Sequence, residues 1–141
     1  MIWKNSPSLE GLNMMSQGTI NENLGIEFVE IGDDYLVAKM PVDKRTIQPM
    51  GLLHGGASVV LAETLGSLAS VLLIDDISKQ AAVGLEINAN HLRPATSGYV
   101  YGTVKPIKIG RRTHVWQITI RNEEKKEVCI SRLTTMIVDN S

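Results

Sequence analysis

The sequence contains very little cysteine and few aromatic side chains. Cys129 is the only cysteine among 141 residues, and Phe, Trp and Tyr together make up 4%. A single cysteine excludes an intrachain disulfide and argues against a thiolate metal site, as is usual for proteins of a reducing compartment. We therefore interpret Cys129 as a small buried hydrophobic residue.

The chain also lacks an excess of charge of either sign. The chain has fourteen Lys and Arg residues and fifteen Asp and Glu residues, which gives a net charge of −1. Such a chain has no long-range field that would draw it to nucleic acid or to an anionic membrane, so neither partner is expected. The first residues contain no apolar run followed by a small-residue cleavage site, which favours a cytoplasmic location.

No long Pro-, Gly- or Ser-rich stretch and no charge block divides the sequence. Hydrophobic residues make up 43% and charged residues 21%, the ordinary balance of a globular protein. The length is also that of one domain, so residues 1–141 are predicted to form a single core.

The most informative segment is residues 55–74, whose only charged side chain is Glu63. A membrane span is disfavoured because the run contains three glycines, several hydroxyl residues and this central carboxylate. A helix that is apolar on nearly every side must then be surrounded by protein. We predict a long central helix here.

The rest of the chain shows the alternation typical of β-strands. Two early stretches around Gly32 indicate a hairpin, and further alternating stretches cover residues 83–89, 99–108, 113–121 and 128–138. A short amphipathic helix is predicted after Ser8. The pattern predicts an α+β fold in which an antiparallel sheet of five to six strands wraps around the central helix.

His54-Gly55-Gly56 stands where this helix begins. The amides of Gly55 and Gly56 should be among the unpaired donors of the first turn, where they could stabilise negative charge on an oxygen. Glycines before a helix are also common turn formers, so this motif alone is weak evidence for an active site.

Glu63 strengthens the functional interpretation. Carboxylates are rarely left inside an apolar helix without a partner or a task. The structural alternative is a Glu63 satisfied by Thr64, Ser67 or a neighbouring strand. Ser67 lies four residues further, on the same face, where it could orient the carboxylate or a water molecule, or could simply be a small residue in a crowded helix.

Gly55 and Glu63 are eight residues apart, which corresponds to about 12 Å along a helix axis. Catalysis requires donor and base each within about 3 Å of the reacting atoms. Two antiparallel copies of the helix related by a two-fold axis would bring Glu63 of one copy to Gly55 of the other. The sequence therefore predicts a dimer with two shared sites.

Several motifs together carry a resemblance that spans almost the whole chain. They are Met40-Pro41-Val42-Asp43, Gln48-Pro49, Leu53-His54-Gly55-Gly56, Ala62-Glu63, Gly66-Ser67 and Asn88-Ala89-Asn90-His91-Leu92-Arg93-Pro94. In these motifs the chain resembles the hot-dog acyl-CoA thioesterases of the phenylacetic-acid-degradation type. It is most similar to two bacterial branches, the dihydroxynaphthoyl-CoA hydrolases of menaquinone synthesis and the proofreading thioesterases of enterobactin synthesis.

The resemblance implies a hot-dog fold and hydrolysis of an acyl-CoA with an aromatic or small acyl group. It implies that Glu63 attacks the thioester or activates water, and that Gly55 of the opposite subunit stabilises the oxyanion. Gln48 and His54 would orient the acyl group and the thioester, Ser67 would assist the water, and His91 would lie near the substrate. Members usually form a tetramer of two dimers and need no metal or organic cofactor.

Basic residues are the candidates for binding the phosphates of CoA. Charge-assisted hydrogen bonds could come from side chains gathered near the strand ends. These basic side chains are Arg93, Lys105, Lys108, Arg111 and Arg112. The alternative is a solvated hairpin. The Gly56 backbone is a separate candidate for binding the substrate. His114 belongs to no motif and is interpreted as a surface or packing residue.

Two other functions remain open at this point. The same fold could serve as a non-catalytic acyl-CoA binder or regulatory module, which would bind thioesters without turnover. Dehydratase chemistry on a hydroxyacyl-CoA is disfavoured, because hot-dog dehydratases usually pair an Asp with a His in another pattern.

Overall fold

A computed structural model describes residues 1–140 of the chain. Over those residues, three helices and six strands follow one another as α1 (Leu9–Met14), α2 (Ile20–Asn23), β1 (Glu27–Ile31), β2 (Leu36–Pro41), α3 (Gly55–Val71), β3 (Gln80–His91), β4 (Tyr99–Ile109), β5 (Thr113–Arg121) and β6 (Glu127–Asp139). The strands form one antiparallel sheet in the order β1-β2-β4-β5-β6-β3. The predicted α+β architecture is confirmed.

The central helix α3 begins at the predicted residue and supplies the middle of the core. Its Leu61 and Leu65 are fully buried, as are Trp116 and Leu133 on the strands that curve around it. The helix contacts all strands from β2 to β6. None of the helices within residues 1–140 is both long and apolar enough to cross a membrane.

One stripe of α3 is only half covered by its own chain. Val60, Glu63, Ser67 and Leu68 recur at helical spacing on this stripe, and each is partly exposed. The prediction that the helix is enclosed on all sides therefore holds for the opposite face only.

Strand β3 is an edge of the sheet, and this overturns the prediction that residues 83–89 have one buried face. Val83 is 41% exposed and Leu85 is 55% exposed, whereas Ile87 and Ala89 pack against the core. The reason is a register shift between Gly84 and Glu86, which leaves Leu85 out of the pairing with β6. The outer edge of this twelve-residue strand pairs with no strand among residues 1–140.

Of the two N-terminal helices, only α1 was predicted from the sequence. Ser8 caps α1 as predicted, its hydroxyl accepting a hydrogen bond of 3.0 Å from the Gly11 amide. Only Leu12 of the predicted apolar face is buried, because the helix is too short to cover more of the core. Helix α2 was not predicted.

Gly66 on the buried face of α3 lies directly against Leu133. A β-carbon at Gly66 would lie 2.5 Å from Leu133 Cδ2, and Leu133 has no exposed surface through which to move away. Overpacking costs about 1–3 kcal/mol, which exceeds the roughly 1 kcal/mol that alanine gains over glycine in a helix. We expect Gly66→Ala to lower the free energy of unfolding in urea by about 1 kcal/mol.

A second background tests the cause of that loss. With Leu133→Ala the space beside Gly66 opens, so Gly66→Ala should then raise the free energy of unfolding through helix propensity alone. A rise in the wild-type background as well would contradict the contact between Gly66 and Leu133.

Candidate active site

The first turn of α3 is capped by the side chain of His54. The Gly56 amide donates a hydrogen bond of 2.8 Å to His54 Nδ1, and the His54 carbonyl accepts from the amides of Ala57 and Ser58. Among residues 1–140, the Gly55 amide has no hydrogen-bond partner. The expectation of two free amides is therefore corrected: Gly56 is engaged by the cap, and Gly55 alone remains a free donor.

The same hydrogen bond determines which nitrogen of His54 carries the proton. Because Nδ1 accepts the Gly56 N–H, neutral His54 must be protonated at Nε2. The side chain is exposed, so Nε2–H can donate to a bound molecule. His54 thus has a structural role as the cap of α3 and keeps one exposed donor, Nε2–H.

Four of the predicted site residues line one cavity of about 360 Å³: Gln48, Gly55, His91 and Arg93. A β-carbon at Gly55 would lie 2.8 Å from His91 Nε2, so the imidazole at the end of β3 lies directly against the helix start. The absence of a side chain at Gly55 makes this close approach possible.

Gln48 organises the loop that leads into α3. Its side-chain oxygen accepts hydrogen bonds from the Met50 and Leu52 amides, and its backbone amide donates to the Leu52 carbonyl at 2.8 Å. This use of the oxygen leaves the side-chain NH₂ group as a further donor of a residue that lines the cavity. Arg93 is held at the cavity rim by a 3.0 Å hydrogen bond from Nη1 to the Glu127 carbonyl.

Glu63 and Ser67 line a different cavity, of about 420 Å³, on the half-covered stripe of α3. The Glu63 carboxylate lies over the backbone of β3, since a β-carbon at Gly84 would be 2.5 Å from Glu63 Oε2. Thr64 does not satisfy this carboxylate, because its hydroxyl donates to Asn21 Oδ1 at 2.7 Å.

No hydrogen bond or ion pair holds the Glu63 carboxylate within residues 1–140, Ser67 included. The structural alternative for Glu63 is therefore not realised in this chain. A carboxylate that is partly buried, unpaired and open to a cavity is available for chemistry.

The two cavities have no residue in common. Gly55 and Glu63 both lie on α3, about 12 Å apart along its axis, and one faces each cavity. A single chain thus has two separate cavities, one with an amide donor and one with a carboxylate.

The predicted basic residues do not gather in one place within a chain. Arg111 and Arg112 line a third cavity, of about 540 Å³, together with Lys4, Ile74 and Asp75 beyond the C-terminal end of α3. That end is about 25 Å from Gly55, whose cavity Arg93 lines, given a helix of seventeen residues. Lys105 and Lys108 are exposed on β4.

His114 is a packing residue, as interpreted. It is buried, its Nδ1 forms a hydrogen bond of 2.9 Å with Ser70 Oγ, and its ring meets Trp116 edge-on. Burial lowers its pKa below the ordinary value, and nearby Lys4 adds to this effect. Cys129 is likewise buried, and burial raises the pKa of its thiol.

No cluster of three or more His, Cys, Asp or Glu side chains suited to a metal ion occurs in the described part of the chain.

Helix α2 is the part of the site that the sequence analysis missed. It places Ile20 and Asn21 on the wall of the Glu63 cavity. A signal was present: Thr19 and Glu22 have the spacing of a capping box. In the structure the Thr19 hydroxyl accepts from the Asn21 amide at 3.2 Å, and Glu22 accepts from the amide of Gly18.

The chain is similar to known proteins along nearly its whole length. A family model described as "Thioesterase superfamily" matches residues 50–129. A 1,4-dihydroxy-2-naphthoyl-CoA hydrolase of Escherichia coli is 55% identical in an alignment that covers 98% of this chain and 100% of the hydrolase. A proofreading thioesterase of Cronobacter turicensis is 51% identical in an alignment that covers 98% of this chain and 99% of that thioesterase. The crystal structure of a mutant thioesterase from Pseudomonas aeruginosa, 50% identical, superposes with a TM-score of 0.96 over 99% of this chain and 100% of that one.

Proposed function

The chain belongs to the thioesterase superfamily and is a thioester hydrolase of the hot-dog fold, and from this premise we propose that it hydrolyses aromatic acyl-CoA thioesters at a site shared by two subunits. Glu63 of one subunit and the Gly55 amide of the other would act on the same thioester carbonyl. The proposal rests on one observation. Two groups of a single chain, the Glu63 carboxylate and the Gly55 amide, have no hydrogen-bond partner among residues 1–140 and lie at separate cavities.

The proposed chemistry needs only these two groups and water. The Glu63 carboxylate attacks the carbonyl carbon or removes a proton from the attacking water, and the Gly55 N–H donates to the oxyanion that forms. Collapse of the tetrahedral intermediate breaks the C–S bond. CoA leaves as a thiolate that takes up a proton. On the general-base route this step releases the acid directly. On the nucleophilic route it leaves an anhydride between the acyl group and Glu63, which water then hydrolyses to the acid and the free carboxylate. His54 Nε2–H and the Gln48 NH₂ group are additional donors for orienting the thioester.

The contacts of β3 support a specific way of joining two copies. Along this strand, Gly84 lies against Glu63 and His91 lies against Gly55. If β3 pairs antiparallel with its own copy, centred between Ile87 and Asn88, Gly84 lies opposite His91 of the partner subunit. Glu63 then comes beside the partner's Gly55, which is the arrangement that catalysis requires.

The exposed surface also favours this pairing. The free edge of β3 is long, and the exposed Val83 and Leu85 lie on this strand. Such an edge tends to pair with another chain. The same pairing of two chains would also cover the half-covered stripe of α3. The family resemblance further implies that two such dimers associate into a tetramer.

The names of the relatives support the substrate class. One relative is named for 1,4-dihydroxy-2-naphthoyl-CoA, an aromatic thioester, and the other is named a proofreading thioesterase. We propose 1,4-dihydroxy-2-naphthoyl-CoA as the first substrate to assay, which would make menaquinone synthesis the context of the reaction. Arg93, at the rim of the Gly55 cavity, is the basic residue best positioned to bind an anionic part of CoA.

A mixed-subunit experiment tests the shared site. Glu63→Gln removes the carboxylate and Gly55→Pro removes the amide N–H, so each variant alone should release little thiol from benzoyl-CoA or the naphthoyl thioester. After co-expression in equal amounts, random pairing leaves about one site in four with both groups intact, so about a quarter of wild-type activity should return.

The control is co-expression of two differently tagged Glu63→Gln chains, which should stay inactive. If mixed oligomers purified by both tags are no more active than the parents, the site is not shared. A wild-type chain that sediments as a monomer while turning over would also contradict the proposal.

A further inference from the structure

Helix α2 forms one wall of the cavity that contains Glu63. Ile20 and Asn21 of α2 face Val60 and Leu68 of α3 across about 420 Å³. Apolar walls with a few fixed polar groups are typical of small-molecule sites. The apolar side chains favour a hydrophobic acyl group, and the polar groups restrict how it can be oriented.

The Asn21 side chain is the polar group whose position is best determined. Its Oδ1 accepts the Thr64 hydroxyl at 2.7 Å, its backbone oxygen accepts the Ile26 amide at 2.9 Å, and its backbone amide donates to Thr19 at 3.2 Å. These three bonds anchor both the backbone and one half of the side-chain amide. The direction of the other half is then determined by the planarity of the amide.

The NH₂ group of the Asn21 side chain is a donor without a partner in the described part of the chain. Asn21 Nδ2 has no hydrogen-bond partner among residues 1–140, and the residue is half-buried on the wall of the cavity. Thr64, the residue that holds Asn21, is the chain neighbour of Glu63. The donor is therefore tied to the same turn of α3 as the candidate catalytic carboxylate.

We propose that Asn21 is a specificity-determining residue, whose Nδ2–H donates to an oxygen substituent on the ring of an aromatic acyl group. The enzyme would thereby select ring-hydroxylated over unsubstituted aromatic thioesters. This inference rests on the proposed function, because it places the acyl group in the Glu63 cavity. A site built to hydrogen-bond a substrate oxygen discriminates against the analogue that lacks it, since its own polar group is then left unpaired.

The test is the ratio of kcat/KM for the three monohydroxybenzoyl-CoA isomers to kcat/KM for benzoyl-CoA. The wild type should prefer at least one isomer by about tenfold, the effect of one net hydrogen bond. Asn21→Leu, which removes the donor, should bring that ratio close to one. Asn21→Asp also lacks the donor but keeps an oxygen for the Thr64 hydroxyl, so the ratio should fall even if the leucine variant does not fold.

A matched control comes from the apolar neighbour on the same helix. Ile20→Ala should change kcat/KM for hydroxylated and unsubstituted substrates in parallel, because it removes only apolar contact. The inference is overturned if the wild type prefers no hydroxylated isomer, or if a folded Asn21→Asp variant keeps the wild-type ratio. Failure of the wild type to hydrolyse any of the four thioesters would instead reject the proposed function.

Discussion

Replacing Glu63 by glutamine is expected to reduce kcat for thioester hydrolysis by about 10²- to 10⁴-fold, the usual contribution of a general base. The amide fills the same space but can neither attack a carbonyl nor accept a proton from water. Because the carboxylate has no hydrogen-bond or ion-pair partner within residues 1–140, the substitution breaks no internal hydrogen bond or ion pair. Stopped assays of thiol release, with wild-type and variant enzyme at saturating substrate, measure the effect.

The fold should survive this change, which separates catalysis from stability. The Glu63→Gln variant should unfold at the wild-type temperature or slightly above it, since a partly buried unpaired charge is removed. Glu10→Gln, on the exposed surface of α1, is the matched control and should keep wild-type kcat. Equal kcat for wild type and Glu63→Gln would show that the carboxylate takes no part in the reaction.

Gly55→Pro is expected to lower kcat by about 10²- to 10³-fold, the cost of losing one oxyanion donor. Proline removes the only free amide of the first turn while keeping the helix start, because proline is favoured at the first helical position. His54 already has φ −69° and ψ 131°, a conformation that a residue before proline adopts readily. The effect should fall mainly on kcat, since the donor acts on charge that develops in the transition state.

Gly55→Ala separates the loss of the amide from the effect of added atoms. It keeps the N–H but adds a β-carbon that would lie 2.8 Å from His91 Nε2, so the imidazole must move aside. The alanine variant should retain at least tenfold more activity than the proline variant, given the size expected for the donor. If both variants lose activity equally, the close approach of His91 matters and the amide does not.

The elements that could be predicted from the sequence are those specified by neighbours along the chain. The start of α3 follows from His54 and two glycines before an apolar run, and Glu63 stands out as the one charge inside that run. Strand alternation gave the hairpin around Gly32 and the later strands, because residue spacing reports directly on which side chains share a face. The distance from Gly55 to Glu63 could be calculated from the rise per residue of an α-helix alone.

What the sequence by itself determined is thus the set of chemical groups and their spacing along α3, since a helix converts residue number into distance. Only the tertiary structure decided which distant residues meet those groups. His91 comes to Gly55 and Gly84 to Glu63 because the sheet wraps the helix in one register. Asn21 comes to Thr64 because α2 packs against α3. The position of β3 at an edge of the sheet also depends on the pairing order of the strands. Contacts between residues far apart in sequence arise from the packing of whole elements, which no local pattern encodes.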